Sequence, residues 1–418
     1  MKKLVAVILT LVLALSLVAC AAPVAEEAPA EEAAEEVVEE VVEEVPAEGA
    51  VKIGVILVHD ENSGYDVAHI EGMEGAKAAY GLSDDQVIYK YNIPEDETCY
   101  DTAVDLVEQG CTLIISDSYG HQSFMMQAAR EYPEVQFIAA TGDTAAFEGL
   151  DNVGNMFPYT FQSRYVSGIV AGMKLKELMD AGTVTDPYVG YVGAYPYAEV
   201  VSGYTAFFLG IKSIYPDVVM DVQYTNSWFN ITAENEAAVA LIDRGCVIIG
   251  QHADSTGAPT ACEEKLAAGT VVYSVGYNVD MLSAAPNAAL VSPTNEWGVY
   301  YTYAIGAHLK GESFDTNWAE GFEKDAVALT ALGPNVAEGT ADKVADVIDQ
   351  IKAGTLHVFD TKTFTVGGSE VTSAFATDTD GDWTPDADEA VFDGYYHESY
   401  FQSAPAFALR IDGITELN

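Results

Sequence analysis

The first half of the chain alternates short apolar runs with segments of helical periodicity. The run 51-VKIGVILVHD-60 has the length of a strand and ends in a polar loop, and apolar and small residues then recur at helical spacing over 66–81. The same unit returns at 102–117 and at 122–141. Because these strands are hydrophobic throughout, they predict a parallel sheet with helices on both faces. We therefore expect a doubly wound α/β lobe.

Part of this pattern is repeated 135 residues further along the chain. The segments 103-AVDLVEQGCTLIISD-117 and 238-AVALIDRGCVIIGQH-252 align without a gap and share a Gly-Cys pair between a helical pattern and a buried strand. This similarity favours a structural duplication, so two similar α/β lobes are expected. Between the repeats, 157-FPYTFQSRY-165 is aromatic and polar, which is typical of a crossover between lobes rather than of a buried strand.

The loops that follow the predicted strands are the expected place for a ligand, because ligands of open parallel sheets bind beyond the carboxyl ends of the strands. Residues 117–122 and 251–257 follow matching strands of the two lobes, so these loops should face each other across a cleft. Aromatic rings in such loops can stack on a planar solute, although any single ring can instead fill the core. The candidate ligand-binding residues are Asp60, Tyr65, Asp117, Ser118, Tyr119, His121, Tyr195, Trp228, Phe229, His252, Asp254, Ser255, Tyr277, Asn278, Asn295 and Trp297.

The stretch 114-IISDSYGHQS-123 contains serine, aspartate and histidine, which are the groups of a hydrolase triad. Triads are assembled from separate segments, and this stretch lacks the Gly-x-Ser-x-Gly elbow that places a nucleophile between a strand and a helix. The sequence also lacks a Walker Gly-Lys-Ser/Thr motif and a His-Glu-x-x-His zinc motif. These residues therefore indicate ligand contacts or loop anchors, and the protein is not expected to be an enzyme.

Acidic residues dominate the charge of the protein. Its 418 residues include 65 aspartates and glutamates against 18 lysines and arginines, which gives a net charge of -47. Proteins that bind nucleic acid or anionic lipid rely on Lys and Arg to neutralise phosphate charge. Such partners are therefore not expected for the folded part of the chain, which is long and apolar enough to form two cores.

The first 49 residues have the composition of an export signal followed by a linker. Two lysines precede an apolar run of signal-peptide length, and Leu17-Val18-Ala19-Cys20 resembles the lipobox of bacterial lipoproteins. This resemblance implies that residues 1–19 are removed and that Cys20 is acylated; an ordinary signal or an uncleaved anchor is the alternative. Residues 20–49 are rich in glutamate and contain no base, so they predict an extended, lipid-anchored tether. A stripe of valines leaves a transient helix open.

Several segments, in their order along the chain, are similar to the basic membrane protein family. They are the opening VKIGVI...GYDVAHIEGMEGA, the block 108-EQGCTLIISDSYGHQSFMMQAAREYPEVQFIAATGD-143, the block 226-NSWFN...EAAVALIDRG...GQHADSTG-257 and the tail 391-VFDGYYHESYFQSAPAFALRIDGITEL-417. The ordered set is fairly specific, although no single motif is diagnostic, and the likeness covers nearly all of residues 51–418. The family comprises lipoprotein substrate-binding components of ABC importers, several of which bind purine nucleosides.

The resemblance implies a type I periplasmic-binding-protein fold, in which two doubly wound lobes joined by three crossovers close on the ligand by a hinge motion. It also implies a small-molecule ligand, an ABC permease and ATPase as partners, and a location on the extracytoplasmic face of the cell membrane; a monomer is expected. The crossovers are expected near 159–162, 292–295 and 321–324. Lobe 1 then comprises residues 50–160 and 294–322, and lobe 2 comprises residues 161–293 and 323–418.

In the purine-nucleoside members of the family, aromatic rings enclose the base, while an aspartate and a lysine hold the ribose. The corresponding positions here are occupied by Asn278 and Asn295. A purine nucleoside is the expected ligand, with a nucleobase, a modified nucleoside or another small polar solute as the alternatives. The ligand-binding component of a sensory system is the alternative function.

One acidic segment, 378-DTDGDWTPDADE-389, has the spacing of a calcium loop of the EF-hand type. Carboxylates stand at the positions that Ca²⁺ requires, and they belong to Asp378, Asp380, Asp382, Asp386 and Glu389. Trp383 occupies the position of the turn glycine and no helical pattern flanks the loop, so a solvated acidic turn is the alternative. No other cofactor is expected.

The cysteines of the predicted lobes do not suggest a disulfide framework. They are Cys99, Cys111, Cys246 and Cys262. Cys99 and Cys111 are expected at opposite ends of one helix, beyond bridging distance. Buried thiols are therefore expected, although a pairing of Cys246 or Cys262 stays open for an exported protein.

Overall fold

Two six-stranded β-sheets organise the protein in the computed structural model, which describes residues 51–377 and 387–418. Within each sheet all neighbouring strands are parallel. Each sheet forms one α/β lobe, and the doubly wound fold predicted from the sequence is confirmed.

Strands and helices alternate along most of the chain. The strands are β1 (Ile53–Ile56), β2 (Val87–Lys90), β3 (Leu113–Ser116), β4 (Gln136–Ala140), β5 (Val153–Met156), β6 (Tyr188–Gly193), β7 (Val219–Tyr224), β8 (Ile248–Gln251), β9 (Tyr273–Val275), β10 (Ala289–Val291), β11 (Pro293–Asn295), β12 (Asn317–Trp318), β13 (Val327–Leu329), β14 (Thr365–Val366), β15 (Ser369–Glu370), β16 (Val391–Phe392), β17 (Tyr395–Tyr396) and β18 (Ile414–Glu416). The helices are α1 (Gly64–Ala79), α2 (Glu97–Glu108), α3 (Gln122–Glu131), α4 (Thr160–Asp180), α5 (Ala198–Ile214), α6 (Ile231–Asp243), α7 (Gly257–Ala267), α8 (Trp297–Lys310) and α9 (Thr340–Lys352).

The central strands of lobe 1 are buried on both faces, which explains why their sequences are apolar throughout. In β3, Leu113 and Ile115 pack in one hydrophobic cluster with residues of α1 and α8. Ile114, which points to the opposite face, packs in a second cluster with residues of α2 and α3. Alternate residues of a strand face opposite sides of the sheet, so a strand covered on both sides needs apolar residues at every position.

The two lobes have the same topology. The strand order is β2-β1-β3-β4-β5 in lobe 1 and β7-β6-β8-β9-β10 in lobe 2, with β12 added beside β5 and β18 added beside β7. The strands β3 and β8 occupy equivalent places, and both their first and their last residues are 135 positions apart. The structural duplication predicted from the repeat is therefore confirmed.

The chain passes between the lobes in three places, and polar side chains tie these places together. It leaves lobe 1 after β5, returns from β10 through β11 to α8, and leaves again after β12 to reach β13, which pairs antiparallel with β11. Gln162 accepts a hydrogen bond of 2.9 Å from the backbone N–H of Phe322, and Thr160 donates one of 2.7 Å to Asn295. The three connections thus form one bonded unit beside the cleft.

The C-terminal part of the chain packs on lobe 2 and also reaches lobe 1. It contributes β18 to the sheet of lobe 2 and two short hairpins, β14-β15 and β16-β17. Ser403 is fully buried, and its hydroxyl donates a hydrogen bond of 3.1 Å to the carbonyl of Gly142 in lobe 1. This segment therefore bridges the two lobes at one side of the cleft.

Several sequence predictions concern residues outside the described part of the chain. They are the signal peptide, the acylated Cys20, the acidic tether, and four of the five calcium-loop carboxylates, Asp378, Asp380, Asp382 and Asp386. The cysteines Cys99, Cys111, Cys246 and Cys262 are described, and each is a buried free thiol. Within residues 51–377 and 387–418, no helix combines the length and the apolar character that crossing a membrane requires.

Candidate functional site

A cavity lies between the two lobes at the carboxyl ends of their strands. About 370 Å³ of space not filled by atoms lies among its lining residues, and part of this space is open to solvent. The carboxyl ends of parallel strands meet at one edge of a sheet, so each lobe contributes its strand-end loops to this site. Its lining residues are Val58, Tyr65, Ser118, Tyr119 and Thr141 from lobe 1, and Glu199, Trp228, His252, Asp254 and Tyr277 from lobe 2.

The lobes touch each other around this cavity. The backbone N–H of Gly64 donates a hydrogen bond of 3.3 Å to the carbonyl of Asp254. The rings of His59 and Phe229 face each other across the cleft with their centroids 5.7 Å apart. These contacts, together with the Ser403 bridge, hold the cavity closed on both sides.

Aromatic rings form the lobe 2 wall of the cavity. Trp228 packs edge-on against Tyr195, with ring centroids 5.2 Å apart, and Tyr195 stacks on Tyr197 at 5.1 Å. Tyr277 lies deeper, and the guanidinium of Arg164 sits 3.6 Å from the centre of its ring. The wall therefore combines flat apolar surfaces with a cation held behind them.

Two buried carboxyl groups support the lobe 1 loops beneath the cavity. Asp117 is only 1% exposed and accepts a hydrogen bond of 3.0 Å from the backbone N–H of Val58. Burial, and then repulsion from the neighbouring carboxylate of Asp66, raise the pKa of Asp117 well above its usual value. Although burial opposes it, hydrogen bonding from His59 and Ser63 lowers the pKa of Asp66. The raised pKa favours the protonated form of Asp117, and its hydrogen bond with Val58 fixes the loop after β1.

The lobe 2 carboxyl groups are also perturbed by burial. Burial, followed by repulsion from Glu234, raises the pKa of Asp254 well above its usual value. Burial raises the pKa of Glu199 to about 7. Burial therefore opposes negative charge on these carboxyl groups, in contrast to the acidic surface of the protein. Such an environment suits a neutral ligand.

The cavity brings together seven of the residues selected from the sequence. They are Tyr65, Ser118, Tyr119, Trp228, His252, Asp254 and Tyr277. The other nine lie outside its lining, and they are Asp60, Asp117, His121, Tyr195, Phe229, Ser255, Asn278, Asn295 and Trp297. For all sixteen residues, contact with a ligand stays a prediction.

Several residues outside the lining have structural partners. His121 Nε2 lies 2.9 Å from the carbonyl oxygen of Ile93 and anchors the loop after β3. Ser255 accepts a hydrogen bond of 3.1 Å from Gly257 at the start of α7. Trp297 is 1% exposed and belongs to the hydrophobic core of lobe 1. These structural contacts account for the residue types at the three positions without a ligand.

The two asparagines at the family's ribose positions are bonded within the protein. Asn278 donates a hydrogen bond of 2.9 Å to Asp254. Asn295 accepts from Thr160 and donates a bond of 3.3 Å to the hydroxyl oxygen of Tyr277. Both side chains thus brace the site from behind.

The candidate set missed three lining residues, Val58, Thr141 and Glu199, and the buried Arg164 behind Tyr277. Glu199 lines the cavity at the start of α5, and Thr141 lines it after β4 with a φ angle of +62°. A β-branched residue rarely adopts this left-handed conformation, which is strained and is found most often at functional sites. Arg164 is 1% exposed and supports Tyr277. A lone arginine between the apolar turns of 160–175 was the signal that could have identified it.

A second cavity adjoins the first and is walled by the C-terminal segment. The two share Tyr119, Thr141 and Glu199, and the second encloses about 1,160 Å³ of space that opens to solvent. Gln402 lines it and is only 4% exposed, and its side-chain carbonyl has no hydrogen-bond partner among the described residues. The C-terminal segment therefore adds polar surface next to the central site.

The described part of the chain contains no group of three or more side chains arranged to hold a metal ion. Of the predicted calcium ligands, Glu389 is described. Its carboxylate accepts hydrogen bonds from the hydroxyl of Ser373, from the backbone of Ala374 at 2.9 Å and from that of Val391 at 3.0 Å. Glu389 thus already stabilises the turn in which it stands.

A closed cavity at the facing strand ends of two α/β lobes defines a two-lobed solute-binding protein. The sequence profile of one family, described as ABC transporter substrate-binding protein PnrA-like, matches residues 51–362. The match covers most of the chain, and the protein belongs to this Bmp family. The family predicted from the sequence is confirmed, and the protein is a binding protein and not an enzyme.

Relatives with assigned names differ in the ligand that their names give. A purine-binding protein of Brucella abortus is 28% identical over 314 residues, which cover 75% of this chain and 84% of the relative. A protein of Haloferax volcanii named as an ABC transporter glucose-binding protein is 32% identical over 248 residues, which cover 59% of each chain.

Solved structures share the fold. A solute-binding protein of an ABC transporter system from Aeropyrum pernix superimposes with a TM-score of 0.63 at 17% identity, and covers 74% of this chain and 93% of its own. One from Conexibacter woesei gives a TM-score of 0.58 at 20% identity, with 74% and 98% covered. The family is extracytoplasmic, and its members bind a small molecule and act with a permease and an ATPase.

Proposed function

We propose that the protein captures a purine nucleoside, or a related small planar solute, between its lobes and delivers it to an ABC permease. The observation that carries this proposal is the closed, aromatic-lined cavity to which the strand-end loops of both lobes contribute. Trp228 and Tyr65 offer rings from opposite lobes, and stacking on an aromatic ring contributes about 1–3 kcal/mol per base. The purine-binding relative supports this choice of ligand.

The low charge of the cavity supports a neutral heterocycle. Burial raises the pKa values of Asp117 and Asp254, which favours their neutral forms. A nucleotide phosphate has no free cation to meet in the central lining, which contains neither lysine nor arginine. We therefore expect nucleosides or nucleobases to bind and nucleotides not to bind.

A ribose requires partners other than those of the family pattern. Asn278 and Asn295 are engaged by Asp254, Thr160 and Tyr277. The adjoining cavity offers polar surface at Gln402. It borders the central cavity at the lining residues that the two cavities share. A nucleoside is therefore accommodated with its ribose toward the C-terminal segment, whereas a nucleobase needs the central cavity alone.

A sugar is the second candidate ligand. The relative named as a glucose-binding protein motivates it, and carboxyl groups beside aromatic rings also suit the hydroxyls and the apolar face of a pyranose. The central cavity is small, so a monosaccharide and a nucleobase would each have to fit into the same limited space.

Calorimetric titration of the purified protein tests these ligands directly. The panel comprises adenosine, guanosine, inosine, adenine, guanine, hypoxanthine and glucose. Saturable binding of at least one purine supports the proposal, and the difference between nucleosides and bases decides the ribose question. Binding of glucose with no response to the six purines would replace the purine by a sugar. Folded protein that binds none of the seven would defeat both ligands.

The location follows from the amino-terminal pattern. We propose that Cys20 carries a lipid that anchors the protein to the extracytoplasmic face of the membrane, with residues 20–49 as a tether. Hinge closure then moves the lobes, 50–160 with 294–322 and 161–293 with 323–418, around the three connections. Labelling of growing cells with a radioactive fatty acid should mark the wild-type protein and not the Cys20→Ser variant. Equal labelling of both would contradict the anchor.

A further inference from the structure

Glu199 occupies a position in the site that the binding of a planar solute does not by itself explain. It lies in the first turn of α5 and lines both the central and the adjoining cavity. Its side chain is 18% exposed, so the carboxyl group is largely removed from solvent while it faces the ligand space. A carboxyl group in such a place is costly unless it has hydrogen-bond donors as partners.

One oxygen of this carboxyl group is held by His252. Glu199 Oε1 lies 3.1 Å from Nε2 of His252. Burial, and then the charge of Arg164, lower the pKa of His252 well below its usual value, so the ring is neutral. A neutral imidazole has one N–H, and the contact with a carboxylate places it on Nε2. His252 therefore donates to Glu199 and fixes the direction of the carboxyl group.

Arg164 supports the same arrangement from behind. Its Nη1 donates a hydrogen bond of 2.5 Å to the carbonyl of Gln251, while Nε and Nη2 have no hydrogen-bond partner among the described residues. Gly203 of α5 lies next to both side chains. If it carried a Cβ atom, that atom would lie 2.6 Å from Nδ1 of His252 and 3.7 Å from Nε of Arg164, so both nitrogens border the same small space. The guanidinium charge thus lies near the imidazole and contributes to lowering the pKa of His252.

Four other polar groups of the lining have partners within their own lobes. Tyr65 donates to the carbonyl of Asp117, and Ser118 donates a bond of 2.6 Å to Glu95. The Tyr119 hydroxyl bonds to Asp143 at 3.0 Å, and Asp254 accepts from Asn278 at 2.9 Å. The second oxygen of Glu199 has no such internal bond among the hydrogen bonds of the described residues. Glu199 therefore offers an acceptor to the ligand.

We propose that Glu199 determines which purine is bound, because its carboxylate accepts hydrogen bonds from the N–H groups on the pyrimidine edge of the base. Guanine presents N1–H and a 2-amino group there, and hypoxanthine presents N1–H. Adenine presents an acceptor at N1, which faces a carboxylate unfavourably. The inference rests on the proposed purine function and names the substrate class within it, which is 6-oxopurines rather than 6-aminopurines.

The size of the effect follows from comparable contacts. A bidentate pair between a side chain and a base edge discriminates against the wrong base by roughly 10- to 100-fold in affinity. We expect guanosine to bind more tightly than adenosine by a factor in this range. His252 and Arg164 are positioning residues in this scheme, because they act through Glu199; His252 also lines the cavity, whereas Arg164 lies outside its lining.

The ligand side of the test needs no mutation. The wild-type protein is titrated with guanosine, 1-methylguanosine and adenosine. Methylation of N1 removes the donor that faces Glu199, so 1-methylguanosine should lose roughly 10- to 100-fold in affinity relative to guanosine. Equal binding of guanosine and 1-methylguanosine overturns the inference and leaves the proposed function intact. Failure of the folded protein to bind any of the six purines overturns both.

The protein side compares Glu199→Gln with Glu236→Gln. The amide can donate to N1 of adenine as well as accept, so the ratio of guanosine to adenosine affinity should fall to about one or reverse. Glu236 is exposed on α6, outside both cavities, and its variant should keep the wild-type ratio. If Glu199→Gln does not fold, Glu199→Asp retains the charge and should keep the order of ligands at reduced affinity. A wild-type ratio in Glu199→Gln, or a reversed order in Glu199→Asp, overturns the inference.

Discussion

The hydroxyl of Thr160 donates a hydrogen bond of 2.7 Å to the side-chain carbonyl of Asn295, and this bond joins the first connection between the lobes to the second. Asn295 in turn bonds to the hydroxyl of Tyr277, which lines the cavity. The residue that stands at a ribose position of the family pattern therefore couples the hinge to the wall of the site in this protein.

Replacement of Asn295 should destabilise the fold. In Asn295→Ala the buried hydroxyls of Thr160 and Tyr277 lose a common partner, and an unsatisfied buried group costs about 1–3 kcal/mol. We expect the free energy of unfolding in urea to fall by about this amount. The half-buried Asn335 makes one solvent-exposed bond to a backbone carbonyl, and Asn335→Ala should cost less than about 0.5 kcal/mol. Equal effects of the two substitutions would contradict the role of the buried bond.

Removal of Trp228 should weaken ligand binding with little effect on stability. Its ring lines the cavity and is only partly buried, so Trp228→Ala removes a stacking surface worth about 1–3 kcal/mol. Calorimetry with the preferred purine should show a loss of roughly 10- to 100-fold in affinity. Tyr400 is 63% exposed and lies outside the central lining, so Tyr400→Ala is the matched control. Unchanged affinity in Trp228→Ala would assign its ring to packing.

The affinity for 6-oxopurines should depend on pH. Burial raises the pKa of Glu199 to about 7, so its carboxylate forms as the pH rises through this value. Guanosine needs the ionised form, and its affinity should increase from about pH 5.5 to about pH 8, whereas adenosine should gain nothing. The titratable or charged groups around Glu199 are Tyr65, Glu95, Tyr119 and Asp143 of lobe 1, and Arg164, Tyr197, His252, Asp254, Tyr277 and Arg410 of lobe 2.

Two of these neighbours fix the sign of the pH effect. Burial lowers the pKa of His252 and raises that of Asp254, so it favours the neutral forms of both and leaves the ionisation of Glu199 to set the sign. In Glu199→Gln the increase for guanosine should vanish. A guanosine affinity that is flat in the wild-type protein would show that Glu199 does not titrate in contact with the ligand.

The free energy of unfolding should also depend on the ionisation of the buried Glu398. Burial raises its pKa to about 7 from an ordinary value of 4.5, so the folded state binds more protons than the unfolded state between these values. The free energy of unfolding therefore falls as the pH rises through this window. Glu398→Gln keeps an acceptor for the backbone N–H of Phe407, which bonds Glu398 at 2.9 Å, and removes the charge. The variant should gain stability relative to the wild type from about pH 5 to about pH 8 in urea unfolding. A constant difference across this range would contradict the assignment.

The fold could be predicted because its signals are local in the sequence. Uniformly apolar strands indicate burial on both faces, and the repeat at 103–117 and 238–252 indicates two lobes of one topology. These patterns arise from strand and helix periodicity, which is fixed by backbone geometry. The strand-end loops were predictable for the same reason, since their positions follow from the order of the strands.

The lining of the site was only partly predictable. Trp297 and Tyr65 are both aromatic and both follow strands, but Trp297 stacks on His69 at 4.0 Å in the core whereas Tyr65 lines the cavity. Glu199 and Arg164 were missed, because their roles depend on His252, which is more than 50 residues away from Glu199 along the chain. No periodicity in the sequence records such a pairing.

The sequence by itself determined the class of fold, the duplication of the lobes and the edge of each sheet at which a ligand is expected to bind. These depend on which residues are apolar and at what spacing, and a periodic pattern is sufficient to specify them. Only the tertiary structure decided which side chains face the cavity and which brace it, because that depends on the packing of one lobe against the other. The protonation of Glu199 and the positions of Asn278 and Asn295 are consequences of that packing, since burial and hydrogen-bond partners come from distant parts of the chain.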